Sequence, residues 1–159
     1  MAAALAARRL RARRSSQRVG ALYRPATTDR NATFSQADAA DLPTPVRRYL
    51  QSAIPEGRAL VDTARIEQTG RLRTGDASSA WYPFSATHHV TTAPPGFLWD
   101  ATVRNAALVT VSVRDSFRDG EGSAAVSLWG VVPLDGTGTS PELVEAQLQR
   151  YLAEAVWYP

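Results

Sequence analysis

The stretch that decides the fold is Val109-Thr110-Val111-Ser112-Val113-Arg114-Asp115-Ser116-Phe117. Val109, Val111, Val113 and Phe117 point one way, and Thr110, Ser112, Arg114 and Ser116 the other. Alternation with a period of two marks a strand that lays one face on a core. Asp119-Gly120-Glu121-Gly122 follows and predicts a hairpin, so the next apolar run, Ser123–Pro133, returns antiparallel. Towards the N-terminus, Phe97–Arg104, Phe84–Thr92 and Leu60–Arg73 repeat the pattern. They are separated by Pro94-Pro95-Gly96 and by a turn at Gly75-Asp76-Ala77-Ser78, and Gly70 is expected to mark a bulge. Successive strands joined by short turns give an antiparallel meander.

A helix is expected on each side of the strands. Leu42-Pro43-Thr44-Pro45 is a helix entry, with Thr44 as cap and Pro45 at the first helical position. Val46, Tyr49, Leu50 and Ala53 follow at helical spacing, and Pro55-Glu56-Gly57 ends the helix. Ser140-Pro141 opens the second helix, whose apolar stripe is Val144, Leu148, Tyr151, Leu152 and Ala155, with Arg150 and Glu154 as an exposed i, i+4 pair. The expected fold is α+β: a curved, half-barrel-like antiparallel sheet of about five strands with a helix before and a helix after it. The domain is expected to span residues 41–159. Residues 1–40 read as a basic, Ala/Arg-rich segment, disordered or loosely helical, running into a linker.

Composition narrows the functions. All 18 basic residues are Arg, and there is no Cys. Without Cys there is no disulfide framework, no thiol nucleophile and no Cys-held zinc. His88 and His89 are the only histidines, and on a strand they face opposite ways, so they cannot chelate one metal. The phosphate-loop, nucleophile-elbow, dinucleotide and His-Glu-x-x-His signatures are all missing, so no metal or cofactor is expected. Charge is split: residues 1–30 carry +7 and the remainder −4. A body of that sign does not suit nucleic acid. The basic start lacks the order of a secretory signal, since the apolar stretch Ala2–Ala7 precedes the arginines. Arg8, Arg9, Arg11, Arg13 and Arg14 could meet an anionic membrane surface weakly. The expected location is cytoplasmic, with peripheral contact to the membrane as an alternative.

Three segments carry a resemblance: Leu42-Pro43-Thr44-Pro45-Val46-Arg47-Arg48-Tyr49-Leu50, Pro94-Pro95-Gly96-Phe97-Leu98-Trp99-Asp100-Ala101, and Arg150-Tyr151-Leu152-Ala153-Glu154-Ala155-Val156-Trp157-Tyr158-Pro159. Together they resemble a bacterial family classed only as a domain of unknown function. The resemblance implies no named activity. It implies that family members continue past the closing Trp-x-Pro motif with further strands, so this chain reads as the N-terminal half. The terminal apolar cluster then either tucks back onto the sheet or marks a shortened reading frame. The implied architecture looks similar to the half-barrels of lipoprotein carriers, a likeness of fold that does not decide function.

The candidate site residues come from the strands and the aromatics. Asp115 interrupts an apolar row and must be paired or protonated, with Arg104 and Arg65 as candidate partners. Asp100 and Arg104 share one strand face, and Trp99 lies on the other. Trp99, Trp129 and Trp157, with Asp100, Arg104 and Asp115, form the expected ligand-binding set, since Trp offers a flat apolar wall with one donor. No catalytic residue is assigned. The favoured function is non-enzymatic binding of an apolar or lipid-like ligand, or an acylated partner, in the half-barrel groove. The alternatives are a small hydrolase or isomerase using Asp100 and Asp115 as a carboxylate pair, and a truncated fragment without function.

Overall fold

The structure is a computed structural model that describes residues 2–23, 32–73, 76–106 and 109–159. The chain runs α1 (Ala2–Leu22), a 3-10 turn (Gln36–Ala39), α2 (Thr44–Ala53), β1 (Thr63–Leu72), β2 (Tyr82–Thr92), β3 (Pro95–Ala106), β4 (Val109–Arg118), β5 (Glu121–Leu128), β6 (Val132–Gly138), α3 (Pro141–Glu154) and a closing 3-10 turn (Ala155–Trp157). The six strands form one open antiparallel sheet in the order β1-β2-β3-β4-β5-β6. The architecture is α+β, with a helix before the sheet and one after it.

The sheet has six strands where about five are expected, and the reason for the sixth is local. Asp119 and Gly120 both have positive φ, as a two-residue primed turn requires, and Asp-Gly announces that turn in the sequence. Trp129 and Gly130 also have positive φ, and Val131 N donates to the Leu128 carbonyl across them. A bulky residue seldom adopts φ above zero. Trp-Gly therefore reads as continuing strand, although it reverses the chain into β6. Gly70 marks no bulge. It pairs in register with Phe84, and its missing Cβ leaves room for that ring, whose Cε1 lies 3.2 Å from the Cβ position. Register shifts fall instead in β3, between Arg104 and Ala106, and in β5, between Ala124 and Val126 and between Val126 and Ser127.

The register lines up four rows on one sheet face. Ala64, Val90, Phe97, Phe117 and Gly122 form the first; Ile66, His88, Trp99, Asp115 and Ala124 the second. Gln68, Ala86, Ala101, Val113 and Val126 form the third; Gly70, Phe84, Val103, Val111 and Leu128 the fourth. α3 crosses the first two rows. The core there consists of Val90, Phe97, Phe117, Tyr151 and Tyr158, with Val144 and Ala155 packed against it. Each large side chain so buried contributes about 1.5–3 kcal/mol. Gly122 sets how closely α3 approaches, because a Cβ there would stand 2.8 Å from the Val144 Cα.

The helices turn differently from the expected stripes. In α3 the buried residues are Gln147 and Tyr151, whereas Leu148 and Leu152 face outward. Arg150 and Glu154 do form an i, i+4 pair, but it is half-buried against the sheet. α2 has no buried residue: Val46 and Tyr49 are exposed, and Thr44 makes no capping bond because Pro43 holds the cap position. Leu50 joins a small satellite core of Phe34, Ala39 and Ile54. Packing therefore reaches back into the segment read as linker, and residues 2–22 of the basic start are helical. The expected turn residue Gly75 lies outside the described residues.

Candidate functional site

The second row of the apolar face holds a charged tie between α3 and the sheet. Arg150 Nη1 donates to Asp115 Oδ2 at 2.6 Å, and Arg150 Nε donates to Glu154 Oε1 at 2.9 Å. The same guanidinium lies 4.8 Å from the Trp99 ring centre and 5.1 Å from that of Phe97. Trp99 Nε1 in turn donates to Gln68 Oε1 at 2.7 Å. His88 is 1% exposed, with its Nδ1 3.2 Å from Glu154 Oε2 and its ring edge-on to Phe97. Desolvation pushes His88 down to about 4 against the pull of Glu154, so its ring is neutral at pH 7. Desolvation also raises Asp115, and the adjoining Arg150 opposes the rise. Tyr158 is pushed up to about 12 by burial, with Glu154 adding to the effect. His88 and Tyr158 are buried, so this cluster anchors α3 and does not present an acid–base pair to a substrate.

The opposite face is polar, and α1 lies over it. The Ser15 hydroxyl donates to Asp100 Oδ2, and Arg114 Nη2 donates to the same oxygen at 2.7 Å. Leu22 is buried against Gly96, and the Tyr23 hydroxyl stands 2.8 Å from His89 Nδ1. Burial pushes His89 down, with Arg65 adding to the shift. The helix leaves a cleft on each side. The larger, about 800 Å³, has Arg65, Glu67, Ser85, Thr87, His89 and Asp100 among its lining residues. The smaller, about 220 Å³, is lined by Arg18, Leu22, Leu98, Ser116, Arg118 and Ser123, among others.

The six expected ligand residues do not form one site. Trp99 and Asp115 are register partners on the apolar face. Asp100, opposite Arg114, and exposed Arg104, opposite Thr110, lie on the polar face. Trp129 sits in the β5–β6 turn, 52% exposed, and Trp157 lies past α3, 76% exposed. Asp100 and Asp115 are therefore on opposite sides of the sheet, which removes the carboxylate-pair hydrolase or isomerase. The partner of Asp115 is Arg150, neither Arg104 nor Arg65. Sequence reasoning missed Arg150, Glu154, His88 and Arg114 as site members. Only the Arg150–Glu154 spacing and the broken apolar row at Asp115 signalled them. Among the described residues, no group of three His, Asp or Glu could hold a metal ion. Nor is any helix among them long and apolar enough to cross a membrane. Arg9, Arg13 and Arg14 are exposed, and the side chains of Arg8 and Arg11 lie outside the described residues.

The fold and these two faces define an α+β domain built on an open antiparallel sheet, with one face polar and one apolar. From residue 32 to residue 159 the chain matches, and so belongs to, a family of unknown function, DUF6544. No curated protein and no solved structure matches it.

Proposed function

We propose that the domain is a non-catalytic binding module that seats an apolar, acyl-type ligand on the part of the sheet that α3 leaves uncovered. One observation carries this: the third and fourth rows lie beyond α3, and Phe84, Val111, Val113, Val126 and Leu128 on them are only half-buried. A contiguous apolar surface of that kind marks a binding site. The rows run across β1 to β5, about 19 Å at roughly 4.8 Å per strand. That is the reach of an extended long-chain acyl group. Trp99, held flat under Arg150, borders the strip on the α3 side; Trp129 and Trp157 take no part. The basic helix adds a weak contact with anionic membranes through Arg9, Arg13 and Arg14, about 1 kcal/mol per Arg and lost in high salt.

The test is titration of the full chain with a fluorescent fatty acid. Saturable one-to-one binding is expected, and Val113→Asp and Leu128→Asp should each abolish it while leaving the far-UV circular dichroism unchanged. Failure to saturate, or binding that survives both substitutions, would remove the proposal.

A further inference from the structure

We propose that the smaller cleft beside α1 is an anion seat for a phosphate-type group, held by Arg18 and Arg118 over the hydroxyls of Ser116 and Ser123. It lies on the polar face, on the other side of the sheet from the acyl strip, and does not depend on that strip being a ligand site.

Four observations assign it. Among the described residues no carboxylate lines the cleft; the polar walls they supply are two guanidiniums and two hydroxyls. Register places Ser116 opposite Ser123, and their oxygens are 2.7 Å apart. One hydroxyl proton is used between them, which leaves the other free to donate to a third oxygen. Among the described residues Arg118 spends only its Nε, on Asp119 at 2.9 Å, and its two terminal nitrogens keep their hydrogens. Arg18 has no ion-pair partner among the described residues. The Arg114 guanidinium beside it is engaged by Asp100 and Ser15.

Local charge agrees with this arrangement. Partial burial lowers Arg18 from its ordinary value, and the neighbouring Arg114 and Arg14 lower it further, with only Asp100 opposing. Cations crowded around one carboxylate are relieved by an anion, and guanidinium forks match the oxygens of a phosphate. A volume of about 220 Å³ suits inorganic phosphate or the head of a phosphate monoester. It is below the roughly 300–1,000 Å³ of sites that enclose whole drug-sized ligands. The larger cleft is the poorer anion site, because Glu67 and Asp100 both line it.

Two sources offer this chemistry, a free phosphate and a lipid head group. The experiment uses the full chain at low ionic strength. Inorganic phosphate is titrated calorimetrically against a chloride control. In parallel, sedimentation is measured with phosphatidylcholine vesicles that contain or lack phosphatidic acid. Arg18→Gln and Arg118→Gln should each weaken binding about tenfold or more, since each removes charge-assisted hydrogen bonds. Ser123→Ala should weaken it by less. In the inorganic-phosphate titration, Arg13→Gln, an exposed change on the same helix that lines neither cleft, should alter binding less than about twofold. Saturation by inorganic phosphate that is lost in Arg18→Gln identifies a free-phosphate seat. Binding only to the acidic vesicles, with the same sensitivity, identifies a head-group seat. If neither probe binds, or if Arg13→Gln weakens phosphate binding as much as Arg18→Gln, the inference is overturned, because the helix would then act only as diffuse positive charge. Thermal melts of the variants verify that folding is retained.

Discussion

The two faces of the sheet are covered by two helices that hold on in different ways. α3 buries Tyr151 over Phe117, adds a charged tie through Arg150, and lets Tyr158 close the same core. Among the described residues, α1 and the Tyr23 that follows it touch the polar face through Ser15, Leu22 and Tyr23, with a cleft on each side of the helix. The difference teaches where stability and exchange reside. The apolar face packs most tightly near α3 and leaves half-buried apolar surface beyond it. The polar face carries more charge and, among the described residues, less apolar packing, so its helix is the cover with less to hold it.

The largest test of that contrast is a pair of truncations. Tyr151→Ala removes the ring that packs on Phe117 and the hydroxyl that donates to the Thr91 carbonyl at 3.0 Å. It should cost about 4 kcal/mol, against about 2 kcal/mol for Leu22→Ala on the α1 side, measured by urea unfolding. Equal losses would break the comparison.

A pH series comes next. The folded-state pKa of His88 is about 4, below its ordinary 6.5. Between these values the unfolded chain holds more protons, so stability rises with pH. The contribution is fully present above pH 6.5 and is lost as pH falls towards 4, by no more than about 3 kcal/mol. His89, also lowered, acts with the same sign; Asp115, raised, acts oppositely at more acid pH. Unfolding curves at pH 4.5 and 7 should therefore differ in wild type and differ much less in His88→Gln. An undiminished difference in that variant would assign the effect elsewhere.

The smallest effect sharpens the contrast between tied and solvated charge. Arg150→Met strands Asp115 and Glu154 without their cation and should cost about 2 kcal/mol, below the full cost for a deeply buried pair because both groups keep some water. Glu67→Gln, which breaks the exposed Arg65–Glu67 pair, should stay within about 0.5 kcal/mol. Thermal denaturation of both variants decides.

What could be read beforehand follows from how local each signal is. Period-two alternation showed the strands, and Asp119-Gly120 showed one hairpin, because both depend on neighbouring residues. Trp129-Gly130 hid β6, since only the tertiary fold puts a Trp at positive φ. The row broken by Asp115 showed that a partner must exist. The partner lies 35 positions later, on a helix whose rotation the apolar stripe misjudged. Leu148 and Leu152 look like core residues, and Arg150 looks like surface. Yet the sheet supplies an acid and two aromatic faces for that guanidinium, so Arg150 turns inward. Likewise nothing in residues 1–23 alone indicated that Ser15 would meet Asp100.

The strand order equals the chain order, and this has a kinetic consequence. Every ladder joins strands adjacent in sequence, so each can zip from its own turn after closing a short loop. The costly closures are those of the helices: on the α1 side Ser15 reaches Asp100 across 85 residues, and in α3 Tyr151 reaches Thr91 across 60 and Arg150 reaches Asp115 across 35. Contacts of long sequence separation are the slow ones to form. The meander should therefore assemble first and α1 and α3 dock last. Substitutions at Tyr151 should then speed unfolding while leaving the folding rate nearly unchanged.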